Sequence, residues 1–362
     1  MRTKRRWKFT KTLDPHPVLL WLIPAVSVLL AFATGALFLA LTGHNPIAVY
    51  GRMLNGAFGS VYGISETVVK TIPLLLASLG VSVAFRMKLW NIGAEGQIYL
   101  GAFAATWVAL TFPDLPAYLL LPAMTVAGFV GGAFAALLSA LPRAYLSVNE
   151  TITTLMLNYI AILWVNYFIY GPWRDPAGHN FPLTRLFSKS AALPSIGGTR
   201  VHYGLFYGLT AAAVLFFLFR YTRWGYTVRV IGESNAAARY AGFNITRTII
   251  TVMLVSGGLA GIAGMTELAG VAHRLQPGLS PGYGYTAIII AWLARLNPWL
   301  IIIAAFLFGA LQIGGYAIQT SGLPSATVTM LQGLVLFFVL AADIFTYYRL
   351  ERIPEKEATA NE

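Results

Sequence analysis

The chain has 362 residues and no cysteine, which removes disulfides, cysteine–zinc sites and thiol nucleophiles. Charge is also scarce: 10% of residues are Asp, Glu, Lys or Arg, where a soluble domain carries about 25%. No G-x-x-x-x-G-K-[ST] segment occurs, so the chain has no P-loop to cradle ATP phosphates. The histidines are His16, His44, His179, His202 and His273, and none stands in an H-x-x-x-H pair. That spacing argues against an intramembrane metalloenzyme. Apolar and polar residues do not alternate at period two, which argues against a β-barrel.

What the chain has instead is apolar residues, 57% of the total, with mean hydropathy +0.68. A membrane span needs about 20 of them in a row. The runs, cut at Gly, Pro and charge, fall near 18–42, 66–85, 92–112, 117–142, 151–170, 204–219, 248–268, 285–296, 299–320 and 325–346. The expected fold is an all-α polytopic membrane protein with about 8–10 transmembrane helices. The runs near 92 and 285 open in glycine-rich polar sequence and read as broken or re-entrant segments.

The formal charge is +12. Placing Met1–Pro17 in the cytoplasm makes 1–17, 86–91, 143–150, 220–247, 295–298 and 347–362 the inner segments, and 18 of the 25 basic residues lie there. The outer segments 43–65, 171–203 and 269–284 hold six. This is the bias of the positive-inside rule, so the charge reports topology and no nucleic-acid partner is expected. Both termini are expected to be cytoplasmic: a basic segment 1–17, a membrane domain 18–346 and a tail 347–362.

Four constellations stand out. Asn91-Ile92-Gly93-Ala94-Glu95-Gly96-Gln97 follows a span that ends in Arg86 and Lys88. A carboxylate is costly in lipid, so Glu95 faces protein or water, or pairs with one of those cations. Thr154 and Asn158 share a helix face, with Thr151 a turn earlier, and form a polar stripe that either joins helices or lines a path. In 220–247, Ser234 N-caps a short helix over Ala236–Ala241, Gly242 follows as C′, and Arg239 and Tyr240 project as docking side chains. Finally, Pro277–Thr286 breaks the chain and presents Tyr285. Two such breaks in two halves are the pattern of a transporter site at a repeat interface. Gly128/Gly132 and Gly257/Gly261 are small-xxx-small pairs that let helices approach closely.

NIGAEGQ at 91–97, NETITTLMLNYI at 149–160 and GESNAAARYAGFN at 232–244, with GYGYTAIIIAWLARLNPW and LQGLVLFFVLAAD, resemble the permease of an ABC importer. The branch is that for nucleosides and simple sugars, related to ribose-type and branched-chain amino acid permeases, and the likeness covers about 18–346. The family pattern has glycine near two places where this chain carries Trp90 and Trp292. The resemblance implies a bacterial inner-membrane importer with solute contacts at Asn91, Glu95, Gln97, Thr154, Asn158 and Tyr285. It makes 220–247 a coupling loop, with Gly232, Glu233, Ser234, Arg239, Tyr240 and Gly242 at the ATPase. The implied partners are two ATP-binding subunits or one double-domain ATPase holding ATP and Mg, an extracytoplasmic binding protein and a second permease chain, as a heterodimer. The loop 171–203, with Trp173-Arg174-Asp175-Pro176, resembles that of the branch's longer permease. The alternative is an ion-coupled secondary transporter, for which Lys70, Glu95 and Glu267 are the only candidate ionisable groups.

Overall fold

The computed structural model describes residues 5–11, 17–320 and 322–354. Its helices are α1 (Pro17–Leu41), α2 (Pro46–Phe58), α3 (Val61–Arg86), α4 (Ala94–Thr111), α5 (Ala117–Leu146), α6 (Glu150–Tyr170), α7 (Gly204–Tyr221), α8 (Arg223–Glu233), α9 (Asn235–Tyr240), α10 (Ile245–Glu267), α11 (Tyr283–Leu293), α12 (Pro298–Gln319) and α13 (Ala326–Tyr347). Every apolar run is thus a helix. Among the described residues seven of them, α1, α3, α5, α6, α7, α10 and α12, are long and apolar enough to cross a membrane. At 1.5 Å per residue α4 reaches about 27 Å, whereas α11 reaches about 16 Å, half of a ~30 Å hydrocarbon core. α11 stops early because Arg295 and Leu296 adopt positive φ of 49° and 58°.

Two elements depart from the sequence reading. α2 lies in a stretch expected to be loop, and α8 in a loop expected to hold a single helix. A short antiparallel ribbon of β1 (Arg5–Lys11) and β2 (Tyr348–Pro354) accompanies the otherwise all-helical fold.

The described residues form two units, one from Arg52 to Gly322 and one of the segments up to Gly51 and from Leu323. In the latter, α1 packs on α13. Gly35 admits Leu331 and the Tyr50 hydroxyl, which donates to the Phe32 carbonyl at 2.7 Å.

In the larger unit α3 is almost wholly buried and packs against α7, α10, α11 and α12. α10 then packs on α4 and α5 through glycine. A Cβ at Gly132 would overlap the Gly257 carbonyl, one at Gly261 the Gly128 carbonyl, and one at Gly101 the Gly261 backbone. The expected glycine pairs therefore set the closest helix contacts. Outward, α5 exposes Val126, Val130, Phe134 and Leu138, and α6 exposes Met156, Ile160, Leu163 and Tyr167. Apolar surface of that extent belongs against lipid or a partner.

Hydrogen bonds link several of the loops at either end of the helices. The 171–203 loop is bonded to 269–275: Thr184 N to Leu275 O at 3.1 Å, Phe187 N to His273 O at 2.9 Å and Leu193 N to Ala269 O at 2.8 Å. At the opposite helix ends Trp90 N donates to Glu150 at 3.2 Å, Arg86 to the Leu296 carbonyl at 2.6 Å and Arg229 to the Phe219 carbonyl at 3.1 Å. These bonds join 86–91 to 150 and to 296, and tie Arg229 to the end of α7.

The packing of α5 on α10 makes a clear prediction. Gly132→Ala should cost about 1–3 kcal/mol through overpacking, seen as a lower unfolding temperature of the purified protein. Gly51→Ala, with no atom within 4 Å of its Cβ, should leave that temperature unchanged or raise it. Equal temperatures for Gly132→Ala and the parent would contradict this packing.

Candidate functional site

Between α3 and α4 the chain leaves the helix for seven residues, 87–93, and the exposed backbone must find partners. α6 supplies them. Glu150, Thr154 and Asn158, four residues apart, present one face: Glu150 Oε1 accepts from Trp90 N at 3.2 Å, Thr154 Oγ1 from Ile92 N at 3.2 Å, and Asn158 Oδ1 from Gly96 N at 2.8 Å. Asn158 Nδ2 donates to the Ile92 carbonyl at 2.8 Å and to the Tyr285 hydroxyl at 3.4 Å. The sequence reading put Thr151 on this stripe; the residue that serves is Glu150, which also pairs with Arg143 at 3.1 Å. Inside the turn, the Asn91 and Gln97 amides bond reciprocally at 3.0 and 3.1 Å, and Asn91 reaches Ser256 of α10 at 2.9 Å.

Glu95, at the start of α4, does not pair with Arg86 or Lys88. Its Oε2 accepts from Gly284 N at 2.7 Å, and the Ser280 hydroxyl and Gly282 amide bond to the same carboxylate. Gly282 (φ 91°) caps α11, so the carboxylate sits at the positive end of that helix. A Cβ at Gly284 would overlap the Glu95 backbone. The two broken segments thus meet N-terminus to N-terminus. All six expected solute-contact residues fall in this neighbourhood: Asn91, Glu95, Gln97, Thr154 and Asn158 are buried, and Tyr285 is 39% exposed.

Next to this junction, and missed as a unit in the sequence, lies a charged cluster. Lys70 Nζ pairs with Glu267 Oε1 at 3.0 Å and donates to the Tyr283 hydroxyl at 2.9 Å. The second oxygen of Glu267 is buried with no hydrogen-bond partner. Lys70, Glu267, Arg274, Gln276, Tyr283 and Tyr316 are among the groups lining a cavity of about 390 Å³, within the usual size of a small-molecule site. Lys70 and Glu267 stood out as isolated ionisable groups; their pairing across nearly 200 residues carries no local signal. A larger cleft of about 1010 Å³ between α4, α5 and α6 is walled mainly by apolar groups such as Leu100, Phe103, Trp107, Phe134 and Trp164, and Gln97 and Thr154 also line it. Gln97 and Thr154 are the polar side chains it offers a solute. Above the cluster His202 accepts from Gly204 N at 3.2 Å and lies flat against Gly270. Burial, with His273 and Lys70 nearby, pushes its pKa down to about 4, which keeps it neutral at pH 7.

At the other end of the junction Trp90 stacks on Trp292 (centroids 5.8 Å, 28°), with Phe85 at 5.2 and 6.1 Å from the two rings. The two bulky departures from the family pattern are therefore one packed cluster. The short helix is found as expected: Ser234 caps α9 by accepting from Ala237 N at 3.2 Å, and Gly242 (φ 76°) follows it. Gly232 packs on the Arg86 carbonyl. Glu233 and Arg239 are exposed, and Tyr240 is 97% exposed.

Residues 63–340 match the family described as branched-chain amino acid transport system / permease component. The chain belongs to this permease family. It is 37% identical to the glucose ABC transporter permease protein TsgB13 of Haloferax volcanii, over 93% of each chain. It is 33% identical to the guanosine ABC transporter permease protein NupP of Bacillus subtilis, over 89% of this chain and 93% of that one. With the nucleoside ABC transporter permease protein NupB of Lactococcus lactis the identity is 31%, over 93% and 96%. The permease is a multi-pass membrane protein, and its junction of two broken segments lies within the matched region.

The buried pair can be tested by a double-mutant cycle. Lys70→Met strands Glu267 and should cost the permease about 3–5 kcal/mol, read as a fall in unfolding temperature. Lys70→Met with Glu267→Gln should recover most of that loss. An equal loss in the single and double variants would contradict a functioning ion pair.

Proposed function

We propose that the permease is a membrane subunit of an ATP-driven importer whose solute is a nucleoside or a simple sugar. The observation that carries this is the meeting of two broken segments at Glu95–Gly284, beside a polar cavity of about 390 Å³. Helix ends and freed backbone at a buried junction are what a polar solute needs in place of water. The named solutes of the relatives, guanosine, nucleosides and glucose, share hydroxyl-rich chemistry and support the same class. Asn91, Glu95, Gln97, Thr154, Asn158 and Tyr285 border the path in this reading. In the present state their polar groups bond largely to one another and to backbone, so they hand over to solute only as the junction opens.

The side of 86–91, 143–150, 220–247 and 295–298 is the cytoplasmic one in this proposal, since most basic residues lie there. On that side α9 acts as a coupling helix, docking Arg239 and the fully projecting Tyr240 into an ATPase subunit, with Gly232, Glu233, Ser234 and Gly242 shaping it. The ATPase, as two subunits or one double-domain chain, binds ATP and Mg and hydrolyses ATP; the permease itself does no chemistry. An extracytoplasmic binding protein delivers solute to the 171–203 loop, and a second permease chain completes the pore. Lys70 and Glu267 neutralise each other, which disfavours proton- or sodium-coupled transport through them.

The test is uptake of labelled nucleoside into vesicles holding the complete transporter. Uptake should require ATP; uptake driven by a proton or sodium gradient without the ATPase would overturn the proposal. Arg239→Glu with Tyr240→Ala should cut ATP-driven uptake tenfold or more, the cost of removing interface anchors worth ~2 kcal/mol, at unchanged membrane abundance. Unchanged assembly and unchanged uptake would refute the coupling role.

A further inference from the structure

Where α3, α7, α8 and α12 come together, four arginines surround one small cavity. Arg86, Arg220, Arg229 and Arg295, with Phe216, Phe219, Asn297 and Pro298, line a space of about 260 Å³. Among the described residues the three ion pairs are Lys70–Glu267, Arg143–Glu150 and Arg200–Glu66, so none of these four arginines has a carboxylate partner. Like charges gathered without counter-charge repel, and in a fold they persist where an anion offsets them.

Two of the four are fixed by the protein. Arg86 donates to the Leu296 carbonyl at 2.6 Å and lies 4.0 Å over the Phe219 ring, yet its Nε is buried with no hydrogen-bond partner. Arg229 donates to the Phe219 carbonyl at 3.1 Å. The side chains of Arg220 and Arg295 have no hydrogen-bond or ion-pair partner among the described residues and are free to close on a ligand. Guanidinium groups so arranged match the oxygens of a phosphate.

The surroundings say which phosphate. The cavity lies at the ends of membrane helices, and its flank is aromatic: Phe217, Tyr221 and Trp299 are 57%, 67% and 47% exposed, and Phe216 packs on Trp299 at 5.8 Å. Exposed aromatics at helix ends mark the level of lipid headgroups. Basic pockets between helices at that level take anionic headgroups. We infer that this arginine cavity binds the phosphate of an anionic phospholipid, whose acyl chains lie along the exposed face of α7. The site holds α7 and α8 to the α11–α12 turn, and it does not depend on which solute the permease carries.

The purified protein, titrated with phosphatidylglycerol or phosphatidylcholine and read by native mass spectrometry, tests this. The parent should retain phosphatidylglycerol at least tenfold more tightly. Arg220→Gln with Arg295→Gln, which breaks no bond to backbone described above, should abolish the preference without lowering the unfolding temperature. If that pair lowers the temperature, Arg295→Lys should keep both fold and preference. Equal retention of the two lipids, an unchanged preference in the double variant, or displacement by millimolar inorganic phosphate with no preference between lipids would overturn the inference.

Discussion

The α11 helix begins inside the protein, where Tyr283 N donates to the Ser280 hydroxyl and Gly284 N to the Glu95 carboxylate. That single contact fixes much else. A buried carboxylate needs donors, and an interrupted helix needs acceptors; each would be costly alone. Placed end to end, α4 and α11 answer each other. The approach leaves no room for a side chain at Gly284 and holds the 87–93 turn where the Glu150–Thr154–Asn158 face of α6 can reach it.

The rest of the larger unit can be understood as support for this junction. The glycine contacts of α10 with α4 and α5 bring Ser256 to Asn91. Lys70, Glu267 and Tyr283 brace its outer side, and the Phe85–Trp90–Trp292 cluster closes the other. Asn91, Glu95, Gln97, Thr154 and Asn158 are all buried around this junction. A path built from groups already bonded to one another opens only when helices move, which suits transport driven from outside the permease.

Much of this was legible in the sequence because membrane helices announce themselves. Ten apolar runs became ten helices, and the Ser234 cap and Gly242 stop of α9 were read from residue chemistry alone. The two breaks were visible as glycine-rich, polar openings. Their contact was not, because Glu95 and Gly284 lie 189 positions apart and neither carries a local mark of the other. The Lys70–Glu267 pair was hidden for the same reason. Glu150 was within reach, since the four-residue spacing to Thr154 places it on the stripe. α2 and α8 escaped because short helices with a mixed face lack a continuous apolar run.

The central claim is that the two broken segments touch and that transport depends on it. The most direct measurement is ATP-driven solute uptake by the complete transporter carrying Gly284→Ala, beside Gly333→Ala, whose Cβ meets nothing within 4 Å. One methyl at 284 should reduce uptake tenfold or more at equal membrane abundance, while the change at 333 leaves it intact. Full uptake by Gly284→Ala would contradict the account.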